Sequence, residues 1–157
     1  MPSARACIAL ASGGGLRFCQ VASKTQTESL TVRSRKRSDA LDITDRVEHL
    51  VRESEVSDGL CHVYVPHTTA SVFINEKADP DVLTDLLGTL DNLVPWEGDY
   101  RHAEGNAAAH IKSTLVGTSQ TIPIREGRLQ LGRWQGIFLA DFDGPRERTV
   151  RVTITAG

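Results

Sequence analysis

Four short runs crowd the last third of the chain: TSQTIPI (118–124), RLQLGRW (128–134), GIFLADF (136–142) and TVRVTIT (149–155). Each is rich in β-branched, aromatic or other apolar residues, and glycine-containing breaks separate them. Strands this short bury too little alone, so they must pair side by side and cover one face. An earlier strand is expected at TESLTVRS (27–34), where Leu30 and Val32 alternate with polar residues. LCHVYV (60–65) and SVFIN (71–75) read as two more strands joined by PHTTA.

Two segments have helical spacing instead. LDITDRVEHLVRES (41–54) places Ile43, Val47, Leu50 and Val51 on one face, with Asp42 and Thr44 as candidate caps. Asp79-Pro80 is a helix start, an N-cap followed by proline at the first helical position. After it, Val82, Leu83, Leu86, Leu87, Leu90 and Leu93 form an apolar stripe that ends at Pro95. WEGDYRHAEGN (96–106) reads as an ordered loop, with Asn106 as the cap of a short helix through AAAHIKSTL. The expected fold class is α+β: antiparallel or mixed sheets with about two main helices on one side, in a single domain over residues 25–157.

Residues 1–24 differ in composition. They are rich in Ala, Ser and Gly and include Gly13-Gly14-Gly15. They are expected to be an N-terminal extension without a packed structure, with organellar targeting as the alternative. Residues 1–37 hold seven basic residues against Glu28 alone, which leaves an acidic body in a chain of net charge -2 and pI about 6.2. That balance gives no pull toward nucleic acid or an anionic membrane, and no apolar run is long enough to span a bilayer. Cys7, Cys19 and Cys61 make an odd count without a C-x-x-C pair, which fits a reducing, cytoplasmic setting. Cys61 lies in an apolar run and is expected to be a buried, inert thiol.

Three clusters could carry chemistry. His67 follows a strand in VPHTTASV, where Thr68, Thr69 and Ser71 add hydroxyls suited to an anion. The plainer alternative is a turn held by its own hydroxyls. Asn75, Glu76 and Asp79 follow the next strand; Asp79 has a structural task as cap, and Glu76 has none visible. His102, Glu104 and His110 lie in HAEGNAAAHIK, and imidazoles are common metal ligands. Their spacing of eight is not the i, i+4 spacing of a helical zinc motif, so local structure serves equally well. Lys112 could neutralise an anion, and Trp134 and Gln135 sit between Gly132 and Gly136 at the mouth of a strand. His49 reads as a surface residue and His62 as structural. No phosphate-cradling glycine loop or nucleophile elbow is present, and no organic cofactor is expected.

Taken together and in order, VPHTTASVFINEKADPDV, YRHAEGNAAAHIKSTLVGTSQTIPI and GRLQLGRWQGIFLADFDGPRERTVRV resemble the YjbQ-like family of small proteins. The shared pattern is H-T-[TS]-A, N-E, D-P, H-x-E-G, H-[IL]-K, G-T and G-x-W-Q-G, and it covers roughly residues 25–157. The resemblance implies a homotrimer with a site near the subunit boundary. It also implies activity of the secondary thiamine-phosphate synthase type on small phosphorylated metabolites. Carried onto this chain, the metal candidates are His67, His102 and His110, for zinc or magnesium. Glu76, Glu104 and Lys112 are the catalytic candidates. Thr68, Thr69, Ser71, Asn75, Trp134 and Gln135 are the substrate-binding candidates. Ala107, Ala108 and Ala109 stand where several family members carry an acidic residue, which removes a possible extra ligand. The alternative is a non-catalytic sensor or carrier that binds a small anion.

Overall fold

The computed structural model describes residues 24–157. The expected N-terminal extension, with Cys7 and Cys19, lies outside the described residues except for Lys24. The elements in chain order are β1 (Thr25–Arg33), β2 (Asp39–Asp42), α1 (Thr44–Glu53), β3 (Gly59–Tyr64) and β4 (Ala70–Glu76). There follow α2 (Pro80–Leu93), α3 (Ala107–Val116), β5 (Ser119–Arg125), β6 (Arg128–Leu129), β7 (Gln135–Asp141) and β8 (Glu147–Ala156). They form two antiparallel sheets, ordered β1-β8-β3-β5-β6 and β2-β7-β4.

The alternation in β1, β3, β5 and β8 turns Leu30, Val32, Cys61, Val63, Ile122, Ile124, Val150, Val152 and Ile154 inward. The threonines between them face outward and pair across strands, as Thr27 and Thr153 do through their hydroxyls at 3.0 Å. The expectation for Cys61 holds: it is fully buried, and burial pushes its thiol up to about 12.

Strand β7 has no polar face because both of its faces are covered. Ile137 and Leu139 join the core between the two sheets, together with Val72 of β4. Phe138, Ala140 and the following Phe142 join a second core beneath α2 and α3, where Phe73 stacks on Phe138 at 5.4 Å. A strand buried on both sides reads as a continuous apolar run, as GIFLADF does. Gly136 is required here, since a Cβ would lie 2.9 Å from Lys77 Cβ and 3.0 Å from Thr44 Oγ1.

Several expectations are corrected. RLQLGRW is not one strand: only Arg128–Leu129 pairs, and the chain then turns, with Gly132 N donating to Gln135 Oε1 at 2.7 Å. β2, whose last two residues lie in a segment with helix-like spacing, pairs with β7. The three helices are the two main ones expected and the short one expected after Asn106. α2 packs against β2 and α3 against β4, whereas α1 inserts Val47 and Val51 into the core between the sheets. Ile43 holds the N-cap position of α1, and Asp42 Oδ1 still accepts the Thr44 N–H at 2.8 Å.

The cap of α2 matches its signature. Asp79 accepts from Asp81 N at 2.9 Å, with Pro80 at the first helical position. Asp79→Ala is expected to lower stability by about 1 kcal/mol in urea unfolding, because an exposed helix start loses its only side-chain acceptor. A loss below a few tenths of a kcal/mol would show that packing of the leucine stripe alone sets the start of α2.

Candidate functional site

The connection from β3 to β4 and the first turn of α3 enclose a cleft centred on His67 and His110. It has two lobes of about 470 and 350 Å³ that share Pro66, His67, Thr68 and His110. The smaller lobe adds Thr69, Glu104, Asn106, Asp143, Arg146 and Arg148. Gly105, at φ 76°, makes the left-handed turn between Glu104 and Asn106 that brings this loop back to α3.

A buried polar network forms the floor. Asp141, fully buried on β7, accepts from Arg148 Nη2 at 2.6 Å and from Ser34 Oγ at 2.6 Å. Arg148 Nη2 also donates to Thr69 Oγ1 at 2.9 Å. His67 stands beside this pair, and its Nε2 accepts the Thr149 N–H at 2.8 Å. Two atoms in the cleft residues have no hydrogen-bond partner, the donor Arg148 Nε and the acceptor Asn106 Oδ1. Both atoms are buried, and leaving such groups unpaired costs about 1–3 kcal/mol each.

The His67 pKa is lowered from its ordinary value of 6.5. Burial is the main cause, the Arg148 guanidinium adds to it, and Asp141 opposes it. His67 is therefore neutral at pH 7, with Nε2 as acceptor and the proton on Nδ1. Between the folded and unfolded pKa values the unfolded chain binds more protons. Stability is thus full above pH 6.5 and is lost as pH falls through the folded value. The urea midpoint is expected to decline below about pH 6.5, and His67→Gln to flatten that decline. An unchanged acid profile in His67→Gln would assign the decline to other groups.

His102 and His110 meet edge to face, with ring centroids 5.1 Å apart, and His102 Nε2 lies 3.7 Å from Glu104 Oε2. His67 is not added to them as a third ligand in this arrangement, because its Nε2 lone pair is committed to Thr149. Among the described residues no group of three or more His, Cys, Asp or Glu is placed to hold a metal ion.

The other site candidates lie elsewhere. Asn75 and Glu76 end β4, paired in register with Gly136 and Gln135. They are about 20 Å along the strand from Thr69. Trp134 is 55% exposed at that same end, with the Arg133 guanidinium over its ring. Ser71 is buried and donates to Ser113 O at 2.9 Å. Lys112 is two positions from His110, roughly 200° around α3; it is buried against Asp91 and lines a different cavity. His49 is exposed, as expected, and His62 bonds through Nδ1 to Thr121 Oγ1 at 2.9 Å.

Arg148, Asp141 and Asn106 were not apparent as site residues from sequence. Asn106 sits at the N-cap of α3, but its side chain does not cap: Nδ2 donates to Asp143 Oδ2 at 3.1 Å. Arg148 and Asp141 lie in strand patterns, where a charge at an inward position is the only available signal.

Residues 28–157 match the family described as UPF0047 protein YjbQ-like. The UPF0047 protein MJ1081 of Methanocaldococcus jannaschii is 50% identical over 123 residues, 78% of this chain and 89% of that protein. YugU of Bacillus subtilis is 49% identical over 123 residues, 78% of this chain and 93% of its own. Among solved structures, an uncharacterised YjbQ/UPF0047 protein from Clostridium acetobutylicum aligns with TM-score 0.80 and 50% identity, covering 81% of this chain and 98% of the other. A protein of unknown function from Sulfolobus solfataricus aligns with TM-score 0.83 at 33% identity, covering 86% and 99%. With the histidine motifs and the two-sheet fold both in place, this chain belongs to the YjbQ-like UPF0047 family.

Proposed function

We propose that the His67–His110 cleft binds a small phosphorylated metabolite and that the protein is an enzyme acting on it. The observation that carries this reading is the convergence of two histidines and a buried guanidinium on one cleft. Arg148 supplies fixed positive charge, and neutral His67 offers its Nδ1–H to an anionic oxygen. His110, half-buried at the junction of the two lobes, is the group placed to exchange a proton with bound substrate. His102 meets its edge, with Glu104 beside the His102 ring at 3.7 Å.

The reaction class is transfer of the thiamine-phosphate synthase type. The thiazole nitrogen bonds to the pyrimidine methylene carbon as the C–O bond to diphosphate breaks, and diphosphate leaves with the electron pair. Arg148 and His110 would meet the charge developing on that leaving oxygen. No step is routed through zinc or magnesium, since the three histidines do not converge as one ligand set. Lys112, buried against Asp91, takes no part in the step, and Glu76 and Gln135 take none within one chain. A homotrimer is the part of the proposal that would bring Glu76 and Gln135 to another copy's cleft. Trp134, Ile111 and Leu115, at 55%, 40% and 58% exposure, are the apolar groups such a contact would cover.

The test is a thermal-shift screen of organic phosphates and diphosphates, followed by assay of any stabilising compound for turnover. A ligand at a hundred times its Kd is expected to stabilise by about 2.7 kcal/mol, and product should appear. Stabilisation without consumption would favour the carrier reading, to which Thr68 and Thr69 in the cleft lend support. If no phosphorylated compound shifts the melting temperature, both readings fail.

A further inference from the structure

Lys112 heads the fully buried side chains by size, and the proposed reaction does not use it. Burying an ammonium group is costly unless it is paired. Its partner is Asp91 of α2, whose side chain is 49% exposed, so the pair forms the wall of a cavity rather than an interior contact. That cavity has a volume of about 650 Å³, within the range of small-molecule sites. It lies on the face of α3 away from His110, between α2 and the turn joining β1 to β2.

The two ends of the cavity differ. The β1–β2 turn brings Arg35, Lys36 and Arg37 to the cavity that Lys112 also lines, while Leu83 and Leu87 of α2 supply an apolar wall beside Trp96. Two carboxylates also face it, and both are engaged. Asp39 Oδ2 accepts Arg35 N at 2.9 Å and lies 3.8 Å from Arg35 Nε. Asp91 Oδ1 accepts Ser38 Oγ at 3.0 Å in addition to Lys112. Four cations thus stand against two carboxylates. Among the described residues, neither Lys36 nor Arg37 has a carboxylate at ion-pair distance, and the Arg37 guanidinium lies 4.3 Å from the centre of the Trp96 ring. Unpaired guanidinium and ammonium groups beside a buried lysine suit a phosphate, and the leucine and indole wall suits an apolar body attached to it.

We propose that this cavity is a second binding site, separate from the histidine cleft, for an organic phosphate with an apolar or aromatic group. The phosphate meets Arg37, Lys36 and Lys112, and the apolar group lies along Leu83, Leu87 and Trp96.

The probe is phenyl phosphate, titrated into the full chain carrying Trp134→Phe so that Trp96 is the remaining tryptophan, with calorimetry in parallel. Inorganic phosphate and phenol are the controls. Saturable binding is expected, at least tenfold tighter than either control. Lys36→Gln with Arg37→Gln should weaken it by roughly tenfold or more, the scale of one lost charge-assisted hydrogen bond. Lys112→Met should do the same, and His110→Ala should leave it unchanged. If Lys112→Met does not fold, the exposed double variant carries the test alone. Absence of saturable binding, equal affinity in the double variant, or inorganic phosphate binding as tightly as phenyl phosphate would each overturn the proposal. Loss of binding in His110→Ala would overturn it too, by placing the probe in the histidine cleft.

Discussion

Asp141→Ala is expected to remove about 3–5 kcal/mol of stability, the largest loss of any single polar substitution proposed for this chain. The carboxylate is fully buried and is the acceptor for Arg148 Nη2, Ser34 Oγ and the Asp143 N–H. Alanine would leave a guanidinium that is itself only 6% exposed without a counter-charge. Domains of this size are stable by only about 5–15 kcal/mol, so the loss is a large fraction of the whole. Urea unfolding at one fixed protein concentration measures it. A second variant separates charge from packing: Asp141→Leu with Arg148→Met should recover much of the loss, since an apolar pair leaves no charge stranded. A loss under about 1 kcal/mol for Asp141→Ala would show that water reaches Arg148 and that the pair is not a buried one.

His110→Ala is expected to lower kcat for the phosphorylated substrate by roughly a hundred- to ten-thousand-fold, the usual contribution of a positioned acid–base group. Folding should be little affected, because the ring is only half-buried and meets the edge of the exposed His102 ring. The loss should fall on kcat more than on KM if Arg148 and His67 bind the substrate and His110 acts on the reacting atoms. Turnover unchanged by His110→Ala would remove the enzymatic reading and leave anion binding. Metal analysis of the same two preparations decides whether His102 and His110 hold an ion in solution, since that substitution removes one of the pair.

Much of the fold was legible because burial on one face writes itself into the spacing of apolar residues. β8 alternates Val150, Val152 and Ile154 with outward polar residues, and the leucine stripe of α2 starts at the Asp79-Pro80 signal. β2 was not legible: four residues, the last two of them inside the helix-like pattern, become a strand only because β7 offers a free edge. RLQLGRW failed for the reverse reason: Gln130 still donates to Pro123 O at 2.9 Å, Pro123 has no N–H to return, and the remaining residues turn. The candidate site was half legible. Histidines, threonines and Glu104 stand out by residue type and do gather at one cleft. Arg148 and Asp141 do not stand out, because a buried ion pair between strands joins residues whose proximity comes from register rather than sequence pattern. Lys112 lies apart from His110 for a reason of geometry: two residues along a helix is a short step in sequence and nearly the opposite direction in space.

The double burial of β7 has a consequence for how the molecule comes apart. Its odd and even side chains belong to different cores, so one strand is a shared wall between two rooms. Neither room can be emptied while the other stays furnished. Peeling α2 and α3 away would open one face of β7 to water, and parting the sheets would open the other. Residues 24–157 therefore lack a natural seam along which half of them could unfold, and the histidine cleft, anchored through Asp141 at the end of that wall, stands or falls with them.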